Sequence, residues 1–131
     1  MKYSLFPFLA WTIVVVVLSV LPSDEIENIW FEFPIPIDKI AHFGLYLILS
    51  FLLFLGNYWA KAQSDLSAAY VFFAFLSIIF FGSLLELVQN TNFVNRNSSF
   101  FDIIANLLGT TAGILLYFVV GNKIKFLNIK K

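Results

Sequence analysis

The chain has 131 residues, of which 60% are hydrophobic, 19% aromatic and 12% charged, and its eight basic and eight acidic side chains cancel to a formal net charge of zero. Soluble domains run at about 45–50% apolar and about 25% charged residues, so this excess faces lipid rather than a single water-bounded core. The lack of any cysteine excludes a disulfide framework, a thiolate metal site and a cysteine nucleophile.

Four apolar runs approach or exceed the roughly 20 residues that a helix needs to cross the hydrocarbon. They cover residues 5–21, 40–58, 66–88 and 100–120. The first, behind Lys2, has the outline of a signal peptide whose core ends near Leu21. No A-x-A cleavage site follows, and its length, with Pro7 and Trp11 inside, fits a retained span better. The expected fold is all-α membrane: a bundle of four transmembrane helices in one domain over residues 1–131.

Between the first two runs lies SDEIENIWFEFPIPI, where Ile26, Ile29, Trp30 and Phe33 recur at helical spacing. This stretch can form an interfacial helix, its apolar stripe in the headgroup layer and Glu25 and Glu32 in water, ended by Pro34 and Pro36. An aromatic belt on a simple returning loop accounts for it equally well. Basic residues near helix ends stay cytoplasmic. With both termini inside, Lys2, Lys61, Lys123, Lys125, Lys130 and Lys131 are cytoplasmic and Lys39 and Arg96 are outside, so that orientation is expected.

The polar residues of the apolar part then gather at one side. Asp38, Lys39 and His42, from DKIAHFGLY, stand where the second span leaves the outer surface. Glu86 and Gln89 stand where the third returns to it, and NRNSSFFDIIAN carries Arg96, Asp102 and Asn106 into the start of the fourth. A charged group at the centre of a spanning helix costs about 2.5–3.5 kcal/mol on the insertion scale, so such a gathering needs a cause. Asp38, His42 and Tyr46 are successive i, i+4 neighbours, Glu86 and Gln89 are i, i+3, and Asp102 and Asn106 are i, i+4. Three polar helix faces can therefore meet. Further along the fourth helix, Gly109 and Gly113 form G-x-x-x-G on the side of Asn106, a face that admits a neighbouring backbone and makes this helix the expected centre of the bundle.

DKIAHFGLY, then ELVQ, then the run R-x-x-x-x-x-D-x-x-x-N-x-x-G-x-x-x-G from Arg96 to Gly113 resembles the VanZ-like family of small bacterial membrane proteins over residues 38–113. Asn95 departs from the family, which often has glycine before the arginine. The resemblance implies a multi-pass protein of the bacterial cytoplasmic membrane, linked to teicoplanin-type glycopeptide resistance at the cell envelope. It matches Asp38, Lys39, His42, Tyr46, Glu86, Gln89, Arg96, Asp102, Asn106 and Gly109, and implies no defined reaction.

Each of these residues also has a plainer role open to it. Asp38 is placed to cap the second helix, and Ser99 to Asp102, SFFD, has capping-box spacing. His42 can bridge helices as a neutral hydrogen-bonding group, with Lys39 at a headgroup phosphate; Gln89 and Asn106 can do the same work as His42 between helices. Glu86 caps nothing and should pair with Arg96, Lys39 or His42, or face water. Three functions remain open. The first is binding of an anionic lipid or lipid-linked envelope precursor, drawn by Lys39, Arg96 and the helix N-termini, although Asp38, Glu86 and Asp102 oppose an anion. The second is a structural polar network. The third is an intramembrane enzyme using His42 with Glu86 or Asp102 as the catalytic candidates. One histidine with carboxylates can also hold a divalent metal, but a single histidine among hard oxygen ligands makes a poor zinc site, so no metal and no cofactor is expected. The bilayer is the expected partner, with self-association open and no nucleic acid.

Overall fold

The computed structural model describes residues 5–20, 37–60, 66–91 and 99–128, with side chains to 59 in the second of these segments and to 120 in the last. Four helices account for nearly all of them: α1 (Phe6–Val20), α2 (Ile37–Ala60), α3 (Ala68–Gln89) and α4 (Phe100–Asn128). The segment 37–59 of α2, all of α3 and the segment 100–120 of α4 are long and apolar enough to cross a membrane. The 15 residues of α1 reach about 22 Å at 1.5 Å per residue, short of a full hydrocarbon thickness of about 30 Å. Of the four expected spans, three therefore have full length and one is shorter. The interfacial stretch between α1 and α2, and Arg96, lie outside the described residues.

Helix boundaries follow hydrogen bonding rather than hydropathy. α2 begins three residues before the apolar run at Ile40, which brings Asp38 and Lys39 into its first turn. Asp38 is thus a first-turn acid, favoured by the positive helix end, and not the residue preceding the helix. α3 is opened by Ser67, whose hydroxyl accepts from the Tyr70 amide at 3.2 Å. α4 continues past Val120 to Asn128, because the loss of apolarity after 120 ends the lipid-facing stretch without breaking the backbone ladder.

Polarity is distributed as lipid requires. Phe72, Phe73, Phe80, Leu87, Phe100 and Phe101 are exposed, whereas Ser50, Thr110, Gln89, Asp102 and Asn106 are buried. With no water in the hydrocarbon, polar atoms must be satisfied inside the bundle or along their own helix. Thr12, Ser77, Ser83, Thr110 and Thr111 each donate to the carbonyl four residues back.

α2 and α4 form the closest pair and run parallel. Lys39 meets Asp102, His42 meets Asn106, Ser50 donates to the Thr110 carbonyl and the Phe54 ring lies 5.6 Å from that of Tyr117, a nearly constant offset along both helices. Glycines permit it. A Cβ at Gly109 would strike the Phe43 carbonyl, and one at Gly113 the Leu47 carbonyl and the Ser50 hydroxyl. The G-x-x-x-G face is therefore used within the chain, against α2. α3 packs on α4, and α1 on α2 and α3, with the Trp11 indole donating to the Leu45 carbonyl at 3.0 Å.

Candidate functional site

Because α2 and α4 run parallel, both begin at one end of the bundle, and α3 finishes there. Each supplies part of a polar cluster. From α2 come Asp38, Lys39 and His42; from α3, Glu86; from α4, Asp102 and Asn106. Asp102 is 1% exposed, Asn106 2%, Glu86 4% and His42 5%, while the side chains of Lys39 and Asp38 are 21% and 34% exposed and form the rim.

Asp102 serves two partners. Its Oδ2 accepts from the Ser99 amide at 2.7 Å, the returning arm of a capping box, and its Oδ1 accepts from Lys39 Nζ. The forward arm is absent: the Asp102 amide donates to the Ser99 carbonyl at 2.9 Å, and the Ser99 hydroxyl has no hydrogen-bond partner among the described residues. Capping and site membership, opposed as alternatives in the sequence, are held by the two oxygens of one carboxylate. Lys39, expected at a headgroup phosphate, instead lies between Asp102 and Asp38 Oδ2, the latter at 2.9 Å. Its ammonium is the cation of this carboxylate pair.

One helical turn further in, His42 is fixed across the α2–α4 contact, its Nδ1 3.0 Å from Asn106 Oδ1 and 3.4 Å from Glu86 Oε1. Asn106 Nδ2 donates to the same Glu86 oxygen at 3.3 Å, which orients the amide with its oxygen toward the imidazole. His42 Nε2 points the other way, 3.7 Å from Asp38 Oδ1. Both ring nitrogens therefore face oxygen acceptors. Glu86 meets His42, one of its expected partners, but its second oxygen, Oε2, is buried with no hydrogen-bond partner among the described residues.

Not every expected member joins. Gln89 donates to the Ser19 carbonyl at 3.0 Å, tying α3 to α1 beside the cluster rather than entering it. Tyr46 is buried with its ring against Gly82, where a Cβ would come within 2.8 Å of the phenol oxygen. Ser19, Gly82, Ser50 and Thr110 were not legible as contributors, since Ser19 and Thr110 act through backbone carbonyls and Gly82 belongs to no small-residue repeat. Ligand atoms of Asp38, His42 and Asp102 lie within 4.8 Å of one another, close enough for one ion, the combination of one histidine with carboxylates that the sequence offered and that was set aside as a poor zinc site. Lys39 already places a positive charge between the two aspartates. A separate cavity of about 440 Å³ opens between α1, α2 and α3, lined by Phe8, Leu53, Phe73 and Ile78 among others. Two of its hydroxyls, those of Thr12 and Ser77, are turned to their own helix carbonyls, Tyr70 brings a third, and no residue of the polar cluster lines it.

Comparison of the chain with protein-family models, with curated proteins and with solved structures gives no match.

Proposed function

We propose that the chain is a small VanZ-like protein of the bacterial cytoplasmic membrane whose polar end receives the phosphate-bearing head group of a lipid or lipid-linked envelope precursor. In the accompanying topology both termini are cytoplasmic and the polar end is outside, in keeping with the six-to-two distribution of basic residues. The parallel N-termini of α2 and α4 support attraction of a phosphate at that end. Arg96 is expected to add charge there and lies outside the described residues.

One observation carries the ligand reading: among the described residues, Glu86 Oε2 is buried without a hydrogen-bond partner, in a cluster whose other members are largely paired. An unpaired buried polar atom costs about 1–3 kcal/mol, which a network serving helix packing alone has no reason to retain. A head group bearing hydroxyl or amine donors removes that cost. The competing reading is a structural network, favoured by the capture of Lys39 between two carboxylates.

Glu86→Gln separates them when teicoplanin susceptibility, membrane protein level and melting in detergent are measured together. The ligand reading expects resistance to disappear while level and melting stay near wild type. Intact resistance in a well-expressed variant, or resistance lost only because the protein is lost, leaves the scaffold and removes the site.

A further inference from the structure

Resting on the head-group reading above, we propose that the group taken into the cluster is a primary ammonium, as on an ethanolamine phospholipid. The cluster is rich in acceptors. Asp38, Glu86 and Asp102 bring three carboxylates, and Lys39 is the one lysine or arginine among the described residues there. Lys39 also demonstrates the chemistry, since its ammonium bonds Asp38 and Asp102 together at the rim. The second observation is independent of that pair. Glu86, 4% exposed and in contact with His42 and Asn106, keeps Oε2 without a partner among the described residues. A primary ammonium supplies three N–H donors and a positive charge, whereas the phosphate diester of a phospholipid supplies neither. The amine of a zwitterionic head therefore meets the carboxylates, and its phosphate stays at the rim beside the N-termini of α2 and α4. This division resolves the conflict between an anionic ligand and three acidic side chains.

The full chain in detergent is titrated with phosphatidylethanolamine, phosphatidylcholine and phosphatidylglycerol of identical acyl chains, and with soluble phosphoethanolamine, reading the melting midpoint. Phosphatidylethanolamine is expected to raise it by about 5 °C or more at saturation, and the other lipids by much less. Glu86→Gln should abolish that preference. Asp38→Asn, at the exposed rim, should weaken it and serves if the first variant does not accumulate. Equal shifts from phosphatidylcholine, or a phosphatidylglycerol preference lost in Glu86→Gln, overturn the ammonium and leave the head-group site standing. A shift from soluble phosphoethanolamine equal to that of the lipid overturns the lipid source. No shift with any lipid, or a lipid response indifferent to both variants, overturns this inference and the head-group reading together.

Discussion

Asp102 shows how one side chain joins local structure to the site: one oxygen holds the start of α4 and the other holds Lys39. Removing one member of a buried ion pair leaves the other uncompensated, while removing both can be nearly neutral. Lys39→Met is therefore expected to cost about 1–3 kcal/mol, below the fully buried range because Lys39 is partly exposed. The double variant Lys39→Met/Asp102→Asn should recover part of that loss. Melting of both proteins in detergent checks this, and a double variant less stable than either single one would deny the pairing. The i, i+4 placement of Asp38 and His42 was readable from spacing, as was the meeting of three polar faces. Which oxygen meets which nitrogen was not, because helix rotation sets those distances and one sequence does not encode it locally.

The α2–α4 contact is decided by glycines. Gly109→Ala and Gly113→Ala place a Cβ against backbone carbonyls of α2, and overpacking of this kind costs about 1–3 kcal/mol each. Gly44→Ala, with nothing within 4 Å of the added carbon, is expected to accumulate and melt like wild type or slightly higher. Equal losses from all three would deny the close approach. α1 is attached more lightly, through the Trp11 bond to Leu45 and the Gln89 bond to Ser19. Trp11→Phe and Gln89→Leu should each lower stability by about 0.5–2 kcal/mol, and the two effects should add, because the bonds lie far apart on α1. A double-mutant cycle measures the sum. The G-x-x-x-G run announced a packing face but not its partner, and Gly82 gave no signal because its partner is the side chain of Tyr46 on another helix.

Across the whole molecule, the proposed orientation is tested by single cysteines at Ser23, Ser64 and Asn97. An impermeant thiol reagent on intact cells should label the first and third and spare Ser64→Cys. The reverse pattern would put the polar end in the cytoplasm and remove the envelope reading. Hydropathy made the all-helical membrane architecture legible, since lipid exposure demands long apolar runs. It made the first run the weakest of four, and Phe6–Val20 is the shorter helix among the described residues; it placed the fourth span at 100–120, while the helix that carries it continues to Asn128.

The parallel pairing of α2 with α4 also sets an order of biogenesis. α3 must be made and turned back before the two closest partners can meet, so His42 and Glu86 enter the bilayer ahead of Asn106, and Lys39 ahead of Asp102. Until α4 leaves the ribosome, the nascent chain carries ionisable groups that lack their final neighbours, a condition that membranes penalise. Synthesis of the last helix thus completes the polar end, and a chain stopped before Phe100 is expected to be a substrate for membrane proteolysis, measurable as a shortened half-life in a pulse-chase experiment.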